Sequence, residues 1–288
     1  MFGKIVAGVS FMDDTAQIAI LQIRRNSITL RHLEEYSEQN GEVWFLQPLL
    51  NREKRIVRKV SGVSVALDSG ILSFHSFPAD GALDQASQHD QAQWEMSNFI
   101  DAYDPKEYSS DVRVLRTYPA ENFSDLLVVA TRQAILSKIE STLRGQKFNL
   151  DGTGANHYGA QESLMLNYPE LKTKRIALAG VTKNRIDVGL IENGQLICYR
   201  YALVSSLDAV IGFVRHQLGG IPVSDVFFYG NSASGLLMNA TRQRLNVNAI
   251  LLNPFKNLRV ASSFRYFNLY AGREHRFAAA VGCALGKR

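Results

Sequence analysis

Cysteine is scarce in this chain of 288 residues: only Cys198 and Cys283 occur, each inside an apolar stretch. That excludes a disulfide framework and fits buried free thiols in a reducing compartment. No Cys/His spacing suited to a metal is present, and the six histidines are scattered singly, which excludes a metal cluster. Long hydrophobic runs are also missing. The longest, from Phe277 to Gly286 and closed by Lys287-Arg288, is about half of the roughly 20 residues a spanning helix needs. Because residues 4–9 already read as a strand, no secretory leader is expected. Charge of one sign is not dominant either, at a formal net charge of +5. The densest basic cluster (Arg52, Lys54, Arg55, Arg58 and Lys59) is broken by Glu53 and reads as a solvated helix face, with an acidic membrane surface or an acidic partner as the other readings. Aromatic residues do not interleave with a basic stripe, so a nucleic-acid role has no support.

What is present is an ordinary globular composition, 46% hydrophobic and 20% charged, with enough apolar material for one or two cores. Alternating patterns place strands at 4–9, 16–23 and 27–33, the first two joined by the polar turn Met12-Asp13-Asp14-Thr15. A helix is expected over 41–51, then strands at 60–67 and 70–77 about the turn Asp68-Ser69-Gly70. A second helix is expected over 82–103, anchored by Trp94, Phe99 and Ile100. A short strand at 112–116 precedes the continuous apolar run 126–130, which suits a strand buried on both faces. An amphipathic helix over 131–144 stops at Gly145. The stretch DGTGANHYGA, 151–160, fails a dinucleotide fingerprint because His157 stands where a third glycine belongs; it reads as a glycine-rich approach to a helix near 160–168.

After Pro169 the pattern begins again. Strands at 175–180 and 186–191 are followed by the hairpin turn Asn193-Gly194 and a strand at 195–203. A helix over 206–218, capped by Ser205 or Ser206, leads to a strand at 226–229 that runs into GNSASG. A helix at 236–245, a strand at 249–252 and a last helix at 276–285 complete the chain. Ala7-Gly8-Val9-Ser10 and Ala179-Gly180-Val181-Thr182 hold corresponding places in the two halves. Three meandering strands, a helix and further strands therefore occur twice, which marks an internal duplication. Two related α/β lobes would face each other, each giving a turn to the cleft between them. Backbone N–H groups of two such turns can hold nucleotide phosphates from both sides, and an acidic residue at each turn would hold Mg²⁺ through water.

This arrangement resembles the actin-like ATPase superfamily, which includes actin, sugar kinases and FtsA. Within it the chain is similar to the PilM family of type IV pilus assembly proteins and the related cytoplasmic domain of the type II secretion protein GspL. The stretches VSVALDSGILSFHSFPAD, LLVVATRQAILSKIESTLRGQKFNLDG, IENGQLICYRY, VFFYGNSASGLLMNATRQRL, NPF and FAAAVGCALGKR carry the resemblance in family order over nearly the whole chain. It implies an actin-like, ribonuclease H-like duplicated, two-lobed α/β fold. The first lobe would be 1–165 with a small insert at about 72–123. The second would be 166–288, its last helix from about 276 packing back on the first.

The departures from the family pattern matter as much. Both phosphate turns of the family read Asp-x-Gly, and here Gly8-Val9-Ser10 and Gly180-Val181-Thr182 stand at the corresponding triplets. Both carboxylates are gone, and the lost glycines hinder close backbone approach to phosphate. Asp13, Asp14 and Asp187 are the available substitutes; the first two sit at a turn tip and Asp187 is expected to face solvent. Arg200-Tyr201 passes almost directly to the helix at 206, without the subdomain that walls the adenine pocket in the family, and Gly230-Asn231-Ser232 replaces Gly-Gly-x.

The implied function is a non-hydrolysing scaffold of a type IV pilus or type II secretion-like inner-membrane assembly, with no cofactor. It would work in the cytoplasm, at the membrane through a PilN-like partner whose short cytoplasmic tail it binds, and self-association is open. In PilM the groove near the insert takes that tail, and Trp94, Phe99 and Tyr103 are the candidates to line it here. The alternatives are an ATP-binding switch and a weak Mg-ATPase, for which the nucleotide would be held by Gly8, Ser10, Gly180, Thr182, Lys183, Gly230, Asn231 and Ser232.

Overall fold

The computed structural model describes residues 3–37 and 59–286. The helix expected over 41–51 and most of the basic cluster lie outside the described residues.

Three strands open the chain, β1 (Lys4–Met12), β2 (Thr15–Arg24) and β3 (Ser27–Ser37), pairing as an antiparallel meander. β4 (Gly62–Leu67) lies parallel to β1, and β8 (Leu150–Ala155) parallel to β4. The second half repeats the plan. β9 (Arg175–Val181), β10 (Arg185–Glu192) and β11 (Gln195–Leu203) form the meander, β12 (Asp225–Tyr229) lies parallel to β9, and β13 (Asn248–Leu251) parallel to β12. The two sheet orders correspond strand for strand: β3-β2-β1-β4-β8 and β11-β10-β9-β12-β13. The first sheet gains one more edge strand, β14 (Arg259–Val260), donated by the C-terminal part of the chain.

The insert forms a separate antiparallel sheet, ordered β5 (Ser73–Asp80), β7 (Phe123–Arg132), β6 (Tyr108–Tyr118), with helix α1 (Gln85–Phe99) against it. The apolar run in β7 is buried on both faces. Leu127 and Val129 enter the main core, while Leu126, Val128 and Ala130 pack under α1. The anchors of α1 differ from the sequence reading: Ala92 and Met96 are its fully buried residues, whereas Trp94 is 63% exposed. The helix stops at Phe99, short of the expected Tyr103, and its polar composition gives it almost no apolar stripe from which to choose the buried side.

Helix α2 (Gln133–Gly145) buries Ile139 and Leu143 on the first-lobe core. Helices α4 (Leu207–Leu218) and α5 (Gly235–Leu245) cover the second sheet, each capped by a serine, Ser206 and Ser234. Two further helices, α3 (Asn156–Asn167) and α6 (Ala278–Leu285), cross where the halves meet. Their backbones approach so closely that a Cβ on Gly282 would stand 1.6 Å from the Gly159 carbonyl oxygen. That contact is open only to glycine. No helix among the described residues is long and apolar enough to cross a membrane.

Candidate functional site

The cleft between the lobes is lined by the β1–β2 turn, the β9–β10 turn and the segment after β12. The first turn is Asp13-Asp14, with Asp13 in the left-handed region at φ 52°. The second is Thr182 to Asn184, between the strand ends Val181 and Arg185. The expected turn triplets therefore sit elsewhere. Gly8 and Ser10 are inside β1, and Gly180 is inside β9. Gly8 lies under α6, where a Cβ would come within 1.9 Å of the Ala280 carbonyl oxygen. The Ser10 hydroxyl is fully buried and donates to Gln17 Oε1 at 3.0 Å. Gly180 faces the Tyr229 ring, whose hydroxyl would stand 2.4 Å from a Cβ there. In each case the glycine serves close packing inside the lobe.

The two turns are joined directly. The Lys183 backbone N–H donates to Asp13 Oδ1 at 2.9 Å, so a carboxylate of the first lobe accepts the amide that a bound anion would otherwise engage. The Asp13 N–H in turn donates to Asp68 Oδ2 at 2.7 Å, and Asp68 Oδ1 accepts from Gly70 N–H at 2.6 Å. Asn231 ties in the third segment. Its Nδ2 donates to the Met12 carbonyl and to Thr15 Oγ1, both at 2.8 Å, and its Oδ1 accepts from Gln17 Nε2 at 3.2 Å. Gly230 holds φ at 103°, a conformation that favours glycine, and a Cβ there would meet Val181 O at 2.5 Å. Ser232 donates its N–H to Val181 O at 3.1 Å, and the Thr182 hydroxyl turns back to the Arg185 carbonyl at 3.3 Å. Burial raises the Asp13 and Asp68 carboxyls above the usual range, against the lowering effect of the N–H bonds they accept.

Of the residues singled out in the sequence, the structure brings Asp13, Thr182, Lys183, Gly230, Asn231 and Ser232 to this cleft. Asp68 and Thr15, which the sequence placed only in turns, and Gln17, which it did not single out, complete it. The expectation for Asp187 is corrected. It is 2% exposed rather than solvent-facing. Its Oδ1 accepts from Arg185 Nε at 2.9 Å and from the Tyr199 hydroxyl at 2.6 Å. Arg185 also donates to the Ser69 carbonyl of the first lobe at 2.9 Å and lies over the Tyr201 ring at 3.9 Å. Asp187 is thus committed to an ion pair that helps seat one lobe on the other. Deeper still, His157 is fully buried with Nδ1 3.2 Å from the Tyr229 hydroxyl, and burial lowers its pKa to about 3.

A second concavity opens beside the insert, about 300 Å³ in volume, lined by Phe74, His75, Phe99, Tyr199, Arg200 and Tyr201. Phe99 is partly exposed there and stacks on His75 at 4.8 Å between ring centroids. Of the three candidate partner-binding residues only Phe99 lines it. Trp94 stands free on α1, and Tyr103 packs on Tyr108 at 5.0 Å within the insert. Beyond β11 a larger groove, about 610 Å³, runs between β6 and the β10–β11 turn, with Arg113 and Arg116 on one wall.

The paired five-strand plan, the helix pair at the junction and the turn-lined cleft define the actin-like ATPase fold. Solved structures agree. The chain matches the PilM–PilN type IV pilus biogenesis complex with a TM-score of 0.79 over 97% of each chain at 15% identity. It matches the cytoplasmic domain of EpsL, an inner-membrane component of the type II secretion system of Vibrio cholerae, with a TM-score of 0.56 over 99% of this chain and 96% of that one at 11% identity. A Bacteroides thetaiotaomicron protein with an actin-like ATPase fold gives 0.55 over 88% and 92% at 12% identity. No family model and no curated protein matches the chain.

Proposed function

We propose that this chain is a non-hydrolysing, actin-like scaffold of a type IV pilus or type II secretion-like assembly at the inner membrane, holding the cytoplasmic tail of a PilN-like bitopic partner. The observation that carries the reading is the direct seal between the turns. The Asp13 carboxylate takes the Lys183 N–H, and Asn231 fills the space between β1 and the Gly230 turn. A triphosphate placed there would have to break these bonds, and the two carboxylates at hand, Asp13 and Asp68, already accept the backbone N–H groups of Lys183, Asp13 and Gly70. Phosphoryl transfer needs a metal-neutralised phosphate and a positioned base, and the buried acid Asp187 is engaged by Arg185 and Tyr199. The residues present do not fit Mg-ATP.

The groove by Phe99 supports the partner side of the reading. It joins insert and second lobe, so a tail bound there would bridge both. An extended segment could add to the β11 edge, using backbone hydrogen bonds for affinity and Tyr201 and Phe99 for side-chain contact.

Two measurements test this. Calorimetry and thermal melting with millimolar Mg-ATP are expected to show neither heat nor shift. A rise in melting temperature of several degrees would end the reading, since a ligand bound to the folded state must stabilise it. A photo-crosslinking side chain at Phe99, activated in native membranes, is expected to capture a bitopic inner-membrane protein through its cytoplasmic tail. Capture of soluble enzymes alone would count against the partner.

A further inference from the structure

From Val226 to Arg273 the chain carries no Asp or Glu, yet it carries six basic residues: Arg242, Arg244, Lys256, Arg259, Arg265 and Arg273. The later part of this stretch is a strap along the outer edge of the first sheet. In β14, Arg259 stands opposite Thr29 and Val260 opposite Leu30. The Ala261 N–H donates to Leu30 O, and the Tyr270 hydroxyl to Leu33 O, both at 2.9 Å. Phe264 and Phe267 turn inward and pack with Phe255, Tyr270 and Phe277. The inner side of the strap thereby covers an edge strand that would otherwise offer unpaired N–H and C=O groups.

Covering an edge does not require what the outer side displays. Arg259, Val260, Arg265, Tyr266, Leu269 and Arg273 are all exposed. Tyr266 is 69% and Leu269 65% exposed. Three of the ten large apolar side chains exposed among the described residues fall between Val260 and Leu269, which makes this a patch rather than scatter. Arg24 and Arg25, in and beside the β2–β3 turn, are exposed close to the Arg259–Thr29 pairing. The acids on β3 are already engaged: Glu35 with Arg273 and Arg276, and Glu34 with His32. Arg24, Arg25, Arg259 and Arg265 have no ion-pair partner among the described residues.

We propose that this strap, together with the β2–β3 turn, is a docking face for an anionic bilayer surface. Guanidinium groups suit lipid phosphates, while Tyr and Leu side chains carried between them suit the boundary of headgroup and acyl chain. A nucleic acid would satisfy the arginines and leave Leu269 and Val260 in water, so the apolar members favour lipid. The face needs no nucleotide and no tail, and its failure would leave the scaffold reading untouched.

The test is flotation of the purified chain with vesicles of phosphatidylcholine alone and of phosphatidylcholine mixed with phosphatidylglycerol. Binding is expected only to the anionic vesicles and is expected to fall as salt shortens the screening length. A basic residue near such a surface contributes a factor of about five. Arg259→Glu with Arg265→Glu is therefore expected to lower partitioning by at least about 25-fold. Tyr266→Ser with Leu269→Ser is expected to weaken binding while leaving its salt dependence unchanged. Both double variants are at exposed positions and are expected to melt with the parent. Retention by neutral and anionic vesicles alike, unaltered binding of the arginine variant, or no retention at all would overturn the proposal. Tight binding to an oligonucleotide without vesicle binding would reassign the face to nucleic acid.

Discussion

Asp187 and Arg185 occupy a place where the cost of an error is high. Both are buried, and Arg185 reaches across to Ser69. Removing one member of a buried pair leaves the other charged and unpaired, which costs about 3–5 kcal/mol. Asp187→Ala is expected to lose that much in urea denaturation, and adding Arg185→Leu is expected to recover part of it. A single variant as stable as the parent would show that the pair is solvated in solution. His157 gives a residue-scale pH dependence. Its folded pKa is held at about 3 by burial, below the unfolded value of 6.5. The folded state therefore binds fewer protons, so its contribution is fully present above pH 6.5 and is lost as pH falls toward 3. Between pH 7 and pH 5 the loss is about 2 kcal/mol, and His157→Gln is expected to flatten the stability curve over that window. An unchanged slope would assign the dependence to other groups.

At the scale of elements, three segments far apart in sequence meet at Asn231. Its amide bonds Met12, Thr15 and Gln17, so the segment after β12 is locked to the first hairpin. Asn231→Ala removes four hydrogen bonds, the longest to Asp13 Oδ2 at 3.5 Å, and is expected to cost about 2 kcal/mol. It is also expected to raise amide exchange at Lys183 and Asp13, because the two turns then rely on one bond between them. Protection that stays at the parent level would show that the α3–α6 crossing alone holds the halves. That crossing is strong for a reason legible only in three dimensions: Gly159 and Gly282 let two backbones touch. The hairpins were legible in sequence through alternation and turn chemistry, as at Asn193-Gly194, where both residues take positive φ. The first hairpin turn falls at Asp13-Asp14, as its polar residues indicate, with Asp13 supplying the positive φ. The role given to the Gly8 and Gly180 triplets does not hold, because those glycines lie inside β1 and β9 and make room for neighbouring elements.

For the molecule as a whole, the proposed scaffold role predicts that the lobes keep the arrangement in which Asp13 accepts the Lys183 N–H. Small-angle scattering is expected to give the same curve with and without millimolar Mg-ATP. Contraction or opening on addition would mean that nucleotide displaces the Asp13–Lys183 bond and would restore the switch reading.

The order of strands and helices, their repetition in two halves and the apolar stretches that form the cores were all set by local pattern. Periodicity and turn residues act over a few neighbours, so sequence alone determined them. It did not determine where Asp187 points, which anchors α1 uses, or that Asp68, Gln17 and Asn231 converge on one turn. The convergence depends on contacts between residues 55 to 219 positions apart, and the course of Asp187 and of α1 on what the folded sheets bury. Only tertiary packing decided them, within a lobe for Asp187 and α1 and between the halves for Asn231, because a buried carboxylate or amide must find its partner wherever the fold places one.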